Sequence, residues 1–216
     1  MSEKIIVTID REYGSGGHDI GEKLAKRLGI KFYDDELINI AAKEMGFHEE
    51  FVRNNEEKVP TFSVGTLFGG FDPMQSFPQD NIQAAEFDLI RKLASEDSCV
   101  IVGRAADYIL QKTKHVSVFI FAPVEDRIAR IKKNNAVYGK TFTEEVTSDA
   151  DYEKQVKLAD KQRRRYYEFY TDNKWGARDS YDLLINAHRS GIDGAVDIIE
   201  TYVKASRDQN ILSDLK

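Results

Sequence analysis

The spacing of hydrophobic and polar positions predicts an α/β protein. Five short apolar runs, at residues 5–9, 30–33, 99–102, 116–121 and 181–186, have the length of buried strands. Between them, apolar residues recur at helical spacing over 20–28, 36–46 and 80–95, and again from 196 onward. Strands that alternate with helices indicate a parallel five-stranded sheet flanked by helices, in three layers.

A glycine cluster follows the first predicted strand and opens the first predicted helix. Gly14, Gly16 and Gly17 lie within four positions. Glycine tolerates positive φ and lets consecutive backbone N–H groups approach an anion, and the helix N-terminus adds partial positive charge. An ordinary strand-to-helix turn is the alternative, but it needs fewer glycines. The cluster therefore predicts a phosphate site made of Tyr13, Gly14, Ser15, Gly16, Gly17, His18 and Asp19.

This loop departs from a Walker A loop, in which the last glycine is followed by Lys and then by Ser or Thr. Here those two places hold either Gly17 and His18, or His18 and Asp19. A phosphate-binding cation must then come from elsewhere, and Arg11 is the nearest candidate. Asp19 could hold a metal, directly or through water, or could stabilise the first helical turn.

Polar residues at the ends of later strands are placed to contact a ligand. Asp34 and Asp35 follow the second strand and Arg104 follows the third, with Asp107 close behind. Arg104 could hold a phosphate through its planar fork, or could pair with Asp107 or another carboxylate. An acidic residue about twenty positions after a glycine turn is also typical of a dinucleotide fold, but Asp19 stands where the third glycine of that motif belongs.

Residues 127–165 are basic, although the whole chain is acidic. This window contains eleven Lys or Arg and six Asp or Glu, while the chain carries a net charge of −6. Part of the window is expected to be a solvated helix face. On a helix, Asp160 would pair with Arg163 or Arg164 and fix a guanidinium in one direction. Oriented arginines on a mobile segment suit phosphoryl transfer.

Composition restricts the class of protein. The chain has 216 residues, of which 41% are hydrophobic and 31% charged. Its single cysteine, the absence of an apolar run long enough for a membrane, and the lack of a signal-peptide pattern predict a cytoplasmic protein. The negative charge argues against binding a nucleic acid polymer over a broad surface. Residues 47–80 show no sustained period and are expected to form an irregular excursion.

Several segments together resemble the nucleoside monophosphate kinases, and within them the cytidylate kinase-like family. These segments are Thr8-Ile9-Asp10 before the glycine loop, Phe32-Tyr33-Asp34-Asp35, Val102-Gly103-Arg104, Phe119-Ile120-Phe121-Ala122, Asp160 to Tyr167, and Tyr181 to Gly194. True cytidylate kinases carry the Walker lysine, whereas this chain has Gly17 there, as the divergent branch of the family does. The resemblance covers most of the chain.

The resemblance implies a single P-loop domain over 1–216, with an acceptor-binding excursion at 47–80 and a helical lid at 130–175. It implies ATP and Mg²⁺ at the loop from Arg11 to Asp19, and a small-molecule nucleotide acceptor near Asp34, Asp35, Arg104 and Asp107. Catalytic phosphate contacts would come from Arg11, Arg127, Arg163 and Arg164. A homodimer is one assembly that such a protein could form.

We therefore expect transfer of the γ-phosphoryl group of ATP to a nucleoside monophosphate. One alternative is a kinase of another small molecule, and a second is a catalytically weak nucleotide-binding or regulatory protein. A dinucleotide oxidoreductase comes last. The number of converging arginines favours catalysis, because a passive binder has less need of so many cations.

Overall fold

A parallel five-stranded sheet forms the centre of the protein, and the predicted strands are confirmed. The computed structural model describes residues 4–34, 77–134 and 148–208. The strands are β1 (Ile6–Arg11), β2 (Lys31–Tyr33), β3 (Cys99–Val102), β4 (Val116–Phe121) and β5 (Leu183–Asn186). They lie in the order β2-β3-β1-β4-β5, and each neighbouring pair is parallel. Since β1 is central, the loop that follows it lies in the middle of the ligand-binding edge.

Helices follow or separate the strands. Those in the described ranges are α1 (Gly17–Leu28), α2 (Phe77–Glu96), α3 (Ala106–Ile109), α4 (Val124–Lys133), α5 (Asp149–Tyr170) and α6 (Ala187–Asp208), the last interrupted at Gly191. The helix predicted over 80–95 is confirmed as α2. The helix predicted over 36–46, and the excursion over 47–80 as far as residue 76, lie outside the described residues. None of the described helices is long and apolar enough to span a membrane.

Helices bury both faces of the sheet, as a three-layer fold requires. On one face, Ile20 and Leu24 of α1 pack with Val196 and Ile199 of α6, and all four side chains are fully buried. The opposite face is covered by α2 and α3, whose apolar residues form a second cluster with β3. The helical period of α1 brings Ile20 and Leu24 onto one stripe, because residues four positions apart share a face.

The end of β1 carries a buried carboxylate that anchors the segment after α5. One oxygen of Asp10 accepts hydrogen bonds from Trp175 Nε1 at 2.8 Å and from the Tyr181 hydroxyl at 3.1 Å. Its other oxygen accepts the backbone N–H of Arg11 at 2.7 Å. Phe119 of β4 packs edge-to-face on Trp175, with ring centroids 5.0 Å apart. A buried carboxylate needs such donors, so this network fixes the segment between α5 and β5 against the end of β1.

We predict that Tyr181→Phe lowers the free energy of unfolding by about 1.5–3 kcal/mol, because it removes a hydrogen bond to a buried, charged carboxylate. Denaturant unfolding measures the change. Tyr202→Phe, on the exposed part of α6, is the matched control and should shift stability by less than about 0.5 kcal/mol. Equal losses in the two variants would contradict the role of Asp10 as an anchor.

Candidate active site

The glycine loop between β1 and α1 has the backbone geometry of an anion cradle. Gly14 and Gly16 adopt left-handed conformations, with φ of 78° and 94°, and Gly16 is the N-cap of α1. The first-turn N–H groups of a helix have no partner within it and carry the positive end of the helix dipole. The Ser15 hydroxyl is buried in the loop and has no hydrogen-bond partner within the described part of the chain. These are features that a phosphate group fits.

His18 is held between two carboxylates at the start of α1. Its Nε2 lies 2.8 Å from Asp34 Oδ2, and its Nδ1 lies 3.6 Å from Asp19 Oδ1. Asp19 and Asp34 raise the pKa of His18 to about 9, against the opposing effect of burial. At neutral pH the ring is therefore an imidazolium next to the loop. The structure places Asp34 beside His18 at the glycine loop, and its predicted role in binding the acceptor stays a prediction, while Asp35 lies outside the described residues.

The side-chain oxygens near the glycine loop are too few to bind magnesium alone, but they could bind it together with nucleotide phosphates. Asp19 lies in the first turn of α1, partly exposed and next to the charged His18. Among the described residues there is no group of three potential metal ligands. Mg²⁺ is commonly bound through one or two carboxylates together with substrate phosphates. Asp19, with the Ser15 hydroxyl nearby in the loop, therefore fits a metal that arrives with a nucleotide.

Helix α4 packs directly against the glycine loop. A methyl group at position 14 would lie 2.8 Å from Ile131 Cδ1 and 3.0 Å from the Arg127 carbonyl oxygen. Glycine is required there both for this approach and for its positive φ. The close contact brings the arginines on this side of α4 to the loop.

Arg127, one of the predicted catalytic residues, is buried in an ion-pair network. Its Nη1 lies 2.6 Å from Asp160 Oδ2 and donates to the Tyr13 carbonyl at 3.3 Å. Its Nε lies 3.6 Å from Glu12 Oε2. Burial raises the pKa of Glu12, and Arg127 opposes that shift. Arg127 thus joins the loop to α5, and direct contact with a phosphate stays a prediction.

The pair expected along α5, between Asp160 and Arg163 or Arg164, is corrected by the structure. Both carboxylate oxygens of Asp160 reach across to other elements, one to Arg127 and the other to the backbone N–H of Tyr13 at 2.7 Å. The physical reason is that a buried guanidinium and a buried N–H have lost water and need a partner, whereas an arginine on an exposed helix face is solvated.

The arginines of α5 contact the loop in a different way. Arg163 Nη1 donates to the Arg11 carbonyl at 3.2 Å, and its guanidinium lies 5.3 Å from the centre of the Tyr13 ring. Arg164 lies over Trp175 at 5.6 Å. The structure therefore brings Arg163 to the predicted phosphate site, while Arg164 lies on the adjoining aromatic cluster.

The two acceptor-site candidates after β3 are held by buried partners. Arg104 Nη1 pairs with Glu86 Oε1 of α2 at 2.8 Å, and both side chains are almost fully buried. The structural alternative considered for Arg104, a pair with another carboxylate, is thus present. Asp107 accepts a hydrogen bond from the Tyr167 hydroxyl at 2.6 Å. Whether either residue also contacts an acceptor stays a prediction.

Arg130 is a residue that the sequence-based site omitted. A methyl group at position 16 would lie 3.0 Å from both Cζ and Nη1 of Arg130, so the guanidinium rests against the loop. Within the described ranges Arg130 makes no ion pair, and its Nε is buried without a hydrogen-bond partner. The available signal was its spacing from Arg127, since positions i and i+3 share a helix face.

The site can now be compared with known proteins. Residues 6–189 match the profile of the cytidylate kinase-like family. The chain belongs to this family. Among its relatives, the cytidylate kinase of Thermococcus kodakarensis is 26% identical over 200 residues, covering 92% of this chain and 88% of the relative. The cytidylate kinase of Thermococcus sibiricus is 25% identical over 205 residues, covering 94% and 90%.

Solved structures agree with the kinase fold of this cytidylate kinase-like protein. An uncharacterized protein from Eubacterium ventriosum aligns with a TM-score of 0.68 and 28% identity, covering 93% of this chain and 99% of that one. Shikimate kinase from Bacteroides thetaiotaomicron aligns with a TM-score of 0.52 and 15% identity, covering 93% and 98%. The second similarity shows the fold alone. Family and fold together support a kinase-like phosphotransferase.

Asp107 makes the stability of this protein depend on pH. Burial raises the pKa of Asp107 to about 7, with the Tyr167 hydroxyl opposing and the charge of Asp10 adding to the shift. Between the ordinary value of 3.8 and about 7, the folded state holds a proton that the unfolded state has lost. The free energy of unfolding should therefore fall as pH rises through this window.

We predict that Asp107→Asn flattens this dependence, because the amide oxygen still accepts from Tyr167 but no proton is lost. Urea unfolding between pH 4 and pH 6, below the ordinary pKa of 6.5 at which His18 would begin to contribute, measures the slope. Asp172→Asn, at an exposed position on the loop after α5, is the control and should keep the wild-type slope. An unchanged slope in Asp107→Asn would contradict the assignment.

Proposed function

We propose that this protein transfers the γ-phosphoryl group of ATP, with Mg²⁺, to a nucleoside monophosphate. The observation that carries the proposal is the convergence of Arg130 and Arg163 on one glycine loop in a member of the cytidylate kinase-like family. Phosphoryl transfer spreads negative charge over the moving group, and fixed cations stabilise that charge.

The loop would bind the phosphates of ATP. Its residues from Tyr13 to Asp19 would supply the first-turn N–H groups of α1, the buried Ser15 hydroxyl and the positive end of the helix dipole. Asp19 would hold Mg²⁺, which when bound neutralises phosphate charge. Tyr13 is fixed at both its N–H and its carbonyl, by Asp160 and Arg127, so the cradle is preorganised before the nucleotide arrives.

The arginines would divide between positioning and charge neutralisation. Arg127 is a positioning residue, because its buried pair with Asp160 fixes the loop. Arg11, Arg163 and Arg164 remain candidates for phosphate contact, to which the structure adds Arg130. No general base is required, since an incoming phosphate oxygen is already nucleophilic. Catalysis would then depend on alignment and charge.

The acceptor would bind beyond the ends of β2 and β3, near Asp34 and Arg104. In this proposal residues 47–80 also contact the acceptor, and residues 130–175 close over the phosphates as a lid. The relatives named cytidylate kinases make CMP, dCMP and UMP the first acceptors to test. A kinase of another small molecule is the second candidate, since one fold can serve several acceptors. The buried free thiol of Cys99 suits a reducing, cytoplasmic location.

The direct test is ADP formation from ATP and Mg²⁺ across a panel of nucleoside monophosphates, with CMP, dCMP and UMP first. We expect ADP to form only when an acceptor is present, because the proposed lid would exclude water from the transferred group once both substrates are bound. Reactions without acceptor and without protein are the controls. ATP binding with no turnover on any nucleotide would contradict the proposed acceptor class and favour another small molecule or a binding protein.

Arg130→Ala should lower acceptor-dependent turnover by about 10²-fold, a typical loss for one electrostatic donor to a developing charge. Its unfolding free energy should change by less than about 0.5 kcal/mol, because Arg130 makes no ion pair with any residue that the structure describes. Arg91→Ala, which removes an exposed arginine of α2 paired with Asp88, is the matched control. Equal turnover in the two variants would remove Arg130 from the site.

A further inference from the structure

The structure decides between the two ways of aligning the loop with a Walker motif. Gly16 is the last loop glycine with a left-handed backbone, at φ 94°, while Gly17 is the first residue of α1 and is not left-handed. Gly16 is therefore the glycine that the turn requires. The lysine position of the motif falls on Gly17, and the hydroxyl position falls on His18.

The space beside Gly17 is filled by the side chain of Arg11. A methyl group at position 17 would lie 2.7 Å from Arg11 Cβ, 2.9 Å from its Cγ and 3.7 Å from its Cδ. These atoms belong to the base of the side chain, next to the backbone of β1, and cannot move far. A side chain at position 17 and the present course of Arg11 are therefore mutually exclusive.

The guanidinium of Arg11 emerges between the loop and the end of β3. A methyl group at Gly103 would touch Arg11 Nη1 and lie 3.0 Å from its Cζ. Arg11 is buried, and its Nη1 is 3.8 Å from Asp10 Oδ1. Because positions 17 and 103 are both glycine, there is room for the Arg11 side chain to pass beside the first and to place its guanidinium beside the second. Its planar, permanently charged fork can bind oxygens of a phosphate in a fixed direction.

We propose that Arg11 supplies the phosphate-binding cation that a Walker loop places at position 17, and that Gly17 is a positioning residue that keeps its path open. The proposal deepens the proposed function and uses ATP as the probe. The proposal makes positions 11 and 17 interdependent. A lysine at position 17 can bind phosphate only when the Arg11 side chain is absent.

A ligand-free test measures the thermal midpoint of unfolding for Gly17→Ala in the wild-type and in the Arg11→Gly background. We expect a lower midpoint in the wild type, because the new methyl group meets Arg11 Cβ. In Arg11→Gly the same change should be neutral or stabilising, because alanine favours a helix more than glycine does. The same shift in both backgrounds would overturn the steric coupling.

The second test measures the affinity for ATP with Mg²⁺ by calorimetry. Arg11→Gly should weaken binding by about tenfold or more, as expected for loss of a charge-assisted hydrogen bond. The double variant Arg11→Gly/Gly17→Lys should recover most of that loss, while Gly17→Lys alone should bind no better than Arg11→Gly. Arg11→Gly/Glu22→Lys, with lysine on the exposed face of α1, is the control and should recover nothing.

The outcomes separate this proposal from the proposed function. If wild-type protein binds ATP but phosphorylates no nucleotide, the proposed function fails and the affinities still decide the role of Arg11. If wild-type protein is an active kinase and Arg11→Gly binds ATP as tightly as wild type, the role of Arg11 is overturned alone. Failure of the double variant to recover affinity also overturns the exchange of positions. Absence of any ATP binding by wild-type protein overturns both.

Discussion

The buried ion pair between Arg127 and Asp160 joins three segments that are far apart in the chain. Asp160 belongs to α5, Arg127 to α4, and both contact the backbone of Tyr13 in the glycine loop. Removing one partner of such a pair strands a buried charge, at a cost of about 3–5 kcal/mol. The conformation of the loop therefore depends on its contacts with α4 and α5 as well as on its own glycines. A displacement of α5 would move Asp160 and with it the backbone of Tyr13. The position of the basic helix is therefore coupled to the conformation of the phosphate site.

The cations of the site fall into two groups according to their partners. Arg104 and Arg127 are neutralised by buried carboxylates, those of Glu86 and Asp160. The His18 imidazolium is likewise paired, with Asp19 and Asp34, whereas Arg130 rests against the loop without an ion pair in the described part of the chain. Buried charge that is paired contributes structure, whereas charge next to a cradle of N–H groups contributes field at a ligand. An acidic protein can in this way present a positive site to an anionic substrate.

The five strands could be predicted from their apolar runs, and α1, α2 and α6 from the helical spacing of their apolar residues. The glycine loop was also predictable, since Gly14 and Gly16 are needed for backbone conformations that other residues avoid.

The ion-pair partners of the arginines could not be predicted from the sequence. Asp160 has two arginines at helical spacing, yet it contacts Arg127, 33 positions away, because burial outweighs proximity along the helix. Glu86 lies in a helix with no motif, so its pair with Arg104 depends on how α2 packs on β3. The spacing of Arg130 from Arg127 places both on one face of α4. That face could be assigned to the site only once the structure showed α4 packed against Gly16.

Strain at the end of β3 bears on how donor and acceptor could be brought together. Arg104 and Ala105 both have left-handed backbones, with φ of 62° and 50°, a conformation that costs non-glycine residues about 1–3 kcal/mol each. Such residues persist where surrounding contacts over-determine them, and here the buried Glu86 pair supplies one. The strained turn begins at Gly103, where the guanidinium of Arg11 ends. The Arg11 side chain runs from the base of the donor loop to the turn after β3, beside which the acceptor is proposed to bind, so strain in this turn and the position of the Arg11 charge are linked.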